Sequence, residues 1–290
     1  MICLKDRLSE RGVLIADGAT GTILQAAGLP PGVSPERWNL ENPEAIHVMH
    51  QAYVEAGSDL ILTNTFGGTR LRLEKTRLGD SMRAINLAAA RLARKAARES
   101  TFVLGDIGPI GMLLKPLGRL SIEEAKASFA EQAGTLAEGG VDAILIETMS
   151  DLKEALAAVQ GACQATNLPI LVSMSFDTHG HTMMGVSPET AAVKLWDLGV
   201  DVIGANCGRS LSETLEAVKK MREAVPEATL LAKPNAGLPH VESGESIYDI
   251  TPNVMAEYAL KFVALDVKIF GGCCGSTPEH IRAVAEALRT

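Results

Sequence analysis

Three cysteines carry the strongest chemical signal in this 290-residue sequence: Cys207, in Asn-Cys-Gly, and the adjacent Cys273 and Cys274, in Gly-Gly-Cys-Cys-Gly. Three thiolates leave one position open on a tetrahedral zinc ion, the pattern of a catalytic site; a structural site closes with four protein ligands. The flanking glycines remove Cβ atoms that would resist turning consecutive side chains toward one ion. A helix start at Ser276 and Thr277 sets a positive dipole end beside the pair, which lowers thiol pKa. Zinc surrounded by three thiolates carries net negative charge and activates water poorly. It suits another task, holding a substrate thiolate that keeps enough electron density to attack carbon. The residues therefore point to alkyl transfer to sulfur rather than hydrolysis. The other two cysteines, Cys3 in the N-terminal segment and Cys163 in a predicted helix, fall away from this group and read as structural residues.

Two carboxylates, Asp17 and Glu147, end β-type runs, as the cysteine motifs do. A zinc-bound amino-acid thiol needs carboxylates for its ammonium. Its own carboxylate needs backbone N–H groups, which Gly18-Ala19-Thr20-Gly21-Thr22 can supply as a nest before a helix. Asn64, Asn206 and Asn235 end three further runs and are candidates for orienting ligands or substrate, or for capping loops. The histidines offer less. Asp177-Thr178-His179 begins like a corrinoid-ligating Asp-x-His-x-x-Gly segment, but Thr182 stands where glycine is required. No Gly-x-Gly-x-x-Gly or Walker spacing is present, so a nucleotide site has no support.

The elements that must position these residues alternate regularly. Short β-branched runs predict strands at 13–16, 59–63, 102–105, 142–147, 170–175, 202–206, 229–232 and 267–270. Helical periodicity predicts helices near 42–56, 80–99, 121–139, 151–166, 187–198, 211–224, 251–264 and 277–289. Ser121 with Glu124, Ser187-Pro188-Glu189 and Thr251-Pro252 are helix start signals. Eight buried-type strands alternating with helices at this length imply a single (β/α)8 TIM-type barrel, one domain over 1–290. In such a barrel the site lies at the C-terminal ends of the strands, where the cysteines, carboxylates and asparagines converge. Short loops would leave that rim wide and open.

Composition narrows the partners. With 27 Lys+Arg against 35 Asp+Glu, net charge −8 and 4% aromatics, the chain is suited to neither nucleic acid nor an anionic membrane surface. The sequence shows no signal-peptide pattern and no apolar run long enough to span a bilayer, so the expected location is cytoplasmic.

Asp17-Gly18-Ala19-Thr20-Gly21-Thr22, Leu62-Thr63-Asn64-Thr65-Phe66-Gly67, Gly105-Asp106-Ile107-Gly108-Pro109, Ile146-Glu147-Thr148, Asn206-Cys207, Pro234-Asn235-Ala236-Gly237 and Gly271-Gly272-Cys273-Cys274-Gly275 together resemble the homocysteine S-methyltransferase family over nearly the whole chain. The resemblance implies a (β/α)8 barrel with one zinc held by Cys207, Cys273 and Cys274, and with the homocysteine thiolate in the open position. It implies that Asp17 and Glu147 help bind the amino group of L-homocysteine, with Gly18, Ala19, Thr20, Asn64 and Asn206 around the substrate. The Leu62–Gly67 stretch is most similar to the homocysteine-binding domain of cobalamin-dependent methionine synthase. Betaine-using members have tyrosine after the Thr-Phe, where this chain has Gly67. The implied donor is therefore methylcobalamin on a separate corrinoid protein or domain, since no motif here binds it. The chain would be a stand-alone homocysteine domain or a fragment of a larger enzyme. The alternatives are a sulfonium donor such as S-methylmethionine, another thiol acceptor, or a non-catalytic zinc and thiol-binding module of a larger complex.

Overall fold

The computed structural model describes residues 3–242 and 245–289. Eight strands form its centre: β1 (Leu14–Ile15), β2 (Leu60–Leu62), β3 (Phe102–Ile107), β4 (Ala143–Met149), β5 (Ile170–Met174), β6 (Val202–Cys207), β7 (Leu230–Pro234) and β8 (Val267–Phe270). Helices α1 (Pro43–Ala56), α2 (Met82–Ala96), α3 (Ile122–Glu138), α4 (Leu152–Ala165), α5 (Pro188–Trp196), α6 (Leu211–Ala224), α7 (Pro252–Val263) and α8 (Pro278–Arg289) alternate with them. The start signals act as expected at α3, where the Ser121 hydroxyl accepts from Glu124 N at 3.2 Å and Glu124 accepts from Ser121 N at 2.8 Å. Ser187 and Thr251 cap α5 and α7 in the same way.

Pairing is parallel in the order β1–β8–β7–β6–β5–β4–β3–β2. The circle closes where Ala16 bridges Leu60, Asp17 N donates to Leu60 O at 2.9 Å and Asp59 N donates to Ile15 O at 2.7 Å. This is the expected (β/α)8 barrel.

Strand alternation divides the core. Leu14, Leu60, Leu62, Leu104, Leu145, Leu171, Val202, Leu231 and Ile269 fill the interior, while neighbours such as Ile15, Ile61, Val103, Ile144 and Ile203 pack under the helices. Leu4, from an N-terminal helix over Leu4–Ser9, joins the interior cluster. Following the inward positions along each strand gives the site its content. Two residues beyond Leu104 is Asp106, beyond Leu145 is Glu147, beyond Leu171 is Ser173 and beyond Leu231 is Lys233, while β6 passes from Val202 through Gly204 to Asn206. An apolar barrel interior thus ends in a polar layer.

Two features differ from the sequence expectation. Several strands run further than the β-branched residues alone suggest: β3 to Ile107, β4 to Met149, β6 to Cys207 and β7 to Pro234. Their ladders continue through polar residues because the neighbouring strands supply partners, such as Asn206 beside Lys233 and Cys207 beside Pro234. The rim is also walled rather than open. The β1–α1 connection is long and carries helical turns at Gly21–Ala26, Pro35–Arg37 and Trp38–Glu41, and the β7–α7 connection carries an antiparallel pair, His240–Glu242 with Glu245–Ile247.

Candidate active site

The three cysteines meet. The Sγ atoms of Cys207, Cys273 and Cys274 lie within 4.8 Å of one another, each half-buried, and form the only group of this kind among the described residues. Their backbone supports are specific. Cys207 ends β6 in the left-handed region at φ 62°, followed by Gly208 at φ 77°. Asn235 fixes this turn: its N–H donates to Cys207 O at 3.3 Å, and its amide donates to Gly208 O at 2.8 Å and Cys207 Sγ at 3.4 Å. Cys273 N donates to Pro234 O at 2.9 Å, and Ser276 closes a turn on Cys273 O through its N–H at 3.1 Å and hydroxyl at 2.7 Å. With protons alone among the sulfurs, Cys207 is pulled down to about 3, first by hydrogen bonds from Cys273 and then from Cys274. Cys273 is correspondingly pushed up to about 11, chiefly by its bond to Cys207. Three soft sulfurs gathered this closely can hold a metal ion.

Beside the sulfurs lies a buried charged layer. Lys233 Nζ is 3.0 Å from Glu147 Oε2, with the side chains 2% and 8% exposed. Asp17 Oδ2 accepts from Leu62 N at 2.8 Å, and its Oδ1 has no partner. Burial, opposed by Lys233, pushes Asp17 up to about 7. Asp106 is buried too, with Oδ1 likewise unpartnered. Burial first, then the Glu147 charge, hold its proton well above the usual carboxylate range. Lys233 is raised above its ordinary value because the surrounding carboxylates, Glu147 foremost, outweigh the burial that opposes its charge.

A cavity of about 700 Å³ opens over both groups. Gly18, Ala19, Thr20, Asn64 and Glu147 line it together with the cysteines. Asp17 and Asn206, each 1% exposed, stand behind that lining. Asn206 braces the rim, donating to Thr148 Oγ1 at 2.6 Å and Cys273 Sγ at 3.9 Å and accepting from Thr148 N and Ser173 Oγ at 2.8 and 2.7 Å. Asn64 holds the β1–α1 connection by donating to Pro35 O and Asn39 Oδ1 at 2.8 and 2.9 Å. In the Gly18–Thr22 nest, the Ala19 N–H is already committed to Ser276. Thr20 leads into the Gly21–Ala26 helix without a side-chain cap bond.

The family model for homocysteine S-methyltransferase matches residues 14–288. The chain belongs to the homocysteine S-methyltransferase family. Among relatives of this family member, the methionine synthase of Mycobacterium leprae (strain TN) is 34% identical across 98% of this chain and 25% of its own length. That of Mycobacterium tuberculosis (strain ATCC 25618 / H37Rv) is 35% identical with the same coverage. The chain spans about a quarter of the length of these relatives. Among solved structures, the metallated form of the homocysteine methyltransferase MmuM from Escherichia coli superposes with a TM-score of 0.83 at 23% identity, covering 99% of both chains, which shows the shared barrel.

The sequence motifs of this family member leave Asp106, Lys233 and Tyr248 without a role. The inward position after Leu104 and Leu231 marks the first two. Tyr248 lines the cavity from the β7–α7 connection, its ring where a Cβ on Gly275 would otherwise sit, 2.2 Å away. Burial and then the Cys274 and Cys273 charges push its hydroxyl up to about 12.

Proposed function

We propose that this chain binds Zn²⁺ through Cys207, Cys273 and Cys274 and transfers a methyl group to the thiol of L-homocysteine, giving methionine, with a methylcorrinoid on a separate protein or domain as donor. The sulfur triangle carries the reading. Tetrahedral zinc with Zn–S distances of about 2.3 Å sets its sulfurs about 3.8 Å apart, and these three already lie within 4.8 Å. Small side-chain rotations would close them on one ion at the wall of the cavity.

When bound, the ion stabilises a substrate thiolate at neutral pH. The protein does the rest by placement. Asn206 and Asn235 hold Cys273 and Cys207 through amide–sulfur contacts at 3.9 and 3.4 Å, the kind of support that orients ligands. Asp106, Glu147 and Lys233 line the same cavity as the sulfurs, where the amino-acid end of the substrate would lie. The substrate sulfur then attacks the methyl carbon in line. The S–CH3 bond forms as the cobalt–carbon bond breaks, the electron pair stays with the corrinoid, and the thiol proton leaves to solvent. No side chain needs to carry a proton at the methyl carbon.

Two observations support an external donor. The cavity exceeds what a four-carbon amino acid fills, leaving room above the sulfurs. The Asp177–Thr182 segment is a turn in which a buried threonine, its hydroxyl accepting from Met184 N and Val186 N at 3.3 and 3.2 Å, occupies the position where the corrinoid-ligating pattern requires glycine.

The test is metal content of protein purified under reducing conditions, with zinc K-edge spectra before and after adding L-homocysteine. One zinc per chain that gains a sulfur neighbour supports the reading; no zinc, or an unchanged sulfur shell, overturns it. Methionine formation from a methylated corrinoid protein but not from S-methylmethionine supports the donor assignment, and the reverse replaces it.

A further inference from the structure

Two of the three sulfurs are held by amides. Asn235 donates to Cys207 Sγ at 3.4 Å and Asn206 to Cys273 Sγ at 3.9 Å, but among the described residues no amide is bonded to Cys274 Sγ. Cys274 is fixed through its backbone, where Ala236 N donates to its carbonyl oxygen at 2.9 Å. The next residue, Gly275, turns through the left-handed region at φ 79°. A Cβ there would lie 2.2, 2.3 and 2.7 Å from Cγ, Cδ1 and Cδ2 of Tyr248. The root of the tyrosine ring therefore fills the space a side chain at 275 would take, and Tyr248 and Cys274 line the cavity together. The segment that carries the ring is tied down beside it. Ile250 N donates to Ala236 O at 3.2 Å, so Ala236 joins this segment to Cys274. On α8, His280 Nδ1 accepts from Thr277 N at 3.1 Å, which leaves Nε2 to donate to Ile250 O at 2.7 Å. Ile250 is thus bonded on both sides of the Cys273–Cys274 turn.

We propose that Tyr248 is the positioning residue for Cys274: its ring, seated on the Gly275 backbone, holds the turn that keeps the third sulfur in the triangle. The proposal rests on the reading of the three cysteines as zinc ligands and says what orients the one that no amide reaches. Glycine is the residue least able to hold a left-handed turn by itself, because both signs of φ are open to it. Packing has to supply the restraint, and here the ring does. Without it Gly275 gains other conformations, and Cys274 moves with it away from Cys207 and Cys273.

The experiment reads the number of bonded sulfurs. Metal-free protein under reducing conditions is loaded with Co²⁺, whose thiolate charge-transfer band grows with each bonded sulfur, and zinc affinity is measured by competition with a chromophoric chelator. Tyr248→Phe keeps the ring and is expected to match the unsubstituted protein in both. Tyr248→Ala should lose about a third of the band per bound cobalt, one thiolate of three. It should also bind zinc roughly 10–100-fold more weakly, the range for removing a group that orients a ligand, while circular dichroism shows the barrel folded. A merely structural role would leave the band per bound cobalt unchanged. Should Tyr248→Ala not fold, Tyr248→Leu, which keeps bulk without a flat ring, stands in with the same expectation. A three-thiolate band in the Ala or Leu variant, or the same loss in Tyr248→Phe, overturns the role of the ring while the zinc reading stands. If the unsubstituted protein gives no thiolate band, the zinc reading is overturned and this assignment with it.

Discussion

Lys233→Met removes one partner of a buried ion pair whose atoms are 3.0 Å apart and whose side chains are 2% and 8% exposed. The side chain of methionine is close enough in volume to avoid a large cavity, so the loss is mainly electrostatic: Glu147 remains in the barrel with Asp17 and Asp106 and no counter-charge. Removing one member of such a pair costs about 3–5 kcal/mol. For a domain of this size a loss of 1 kcal/mol lowers Tm by about 2 °C, so thermal unfolding should fall by about 6–10 °C. The pH dependence has a definite sign. The folded-state pKa of Lys233 is raised, so its contribution is fully present below the ordinary lysine value and constant between pH 5 and 8. Glu147 is already raised, first by burial, with Lys233 the main opposing influence. Without Lys233 it rises further, which adds a penalty that is absent at low pH and grows as pH rises through the shifted value. The variant's deficit should therefore be larger at pH 8 than at pH 5. Glu147→Gln in the same chain should recover much of the stability, because no buried charge is then left alone. Circular dichroism melts at fixed zinc concentration measure all three. A loss below about 1 kcal/mol, or a deficit that shrinks with rising pH, would show that the pair is solvated and that the argument is wrong.

Cys207→Ala should leave a folded barrel without stoichiometric zinc, measured by elemental analysis; full zinc retention would remove Cys207 from the ligand set. Asp17 sits at about 7 against an ordinary 3.8, so burying it ionised costs about 4 kcal/mol, a penalty absent below pH 4 and complete above pH 7. Urea titrations from pH 5 to 8 should show wild type losing stability relative to Asp17→Asn over that window, and parallel curves would sink the assignment. A Cβ at Gly204 would lie 2.1 Å from the Leu231 carbonyl oxygen, so Gly204→Ala must separate β6 from β7; it should cost more than about 3 kcal/mol and lower zinc retention with it.

The fold was legible because the strands carry β-branched residues and the helices carry their own start signals. The Ser121–Glu124 box and the Ser187 and Thr251 caps appear in the structure where the residue types placed them. The cysteine cluster was legible because few chemistries use three thiols near glycines. Asp106 and Lys233 each fall one residue beyond a predicted strand. Their role depends on which side of the strand they face, and that follows from parity with Leu104 and Leu231 once the strands are seen to run on to Ile107 and Pro234. Tyr248 and the folded β1–α1 connection left no comparable signal. Their segments lack a sustained period of two or 3.6, and they take their places through contacts distant in sequence, such as Asn64 to Pro35.

Parity also explains why Cys207 has strained backbone. On β6 the inward residues are Val202, Gly204 and Asn206, so a fully extended Cys207 would point under the helices, away from Cys273. The left-handed turn at φ 62° breaks the alternation and brings the sulfur back over the barrel mouth, within 4.8 Å of the other two. A non-glycine residue in this region costs about 1–3 kcal/mol and persists only where its surroundings over-determine it. Here Asn235 supplies that restraint through its N–H and side-chain amide, reaching Cys207 O, Gly208 O and Cys207 Sγ. The triangle is thus assembled by hydrogen bonds at the ends of β6, β7 and β8, from Asn235 to Cys207 and from Cys273 N to Pro234 O, and an ion entering it would find three sulfurs already gathered.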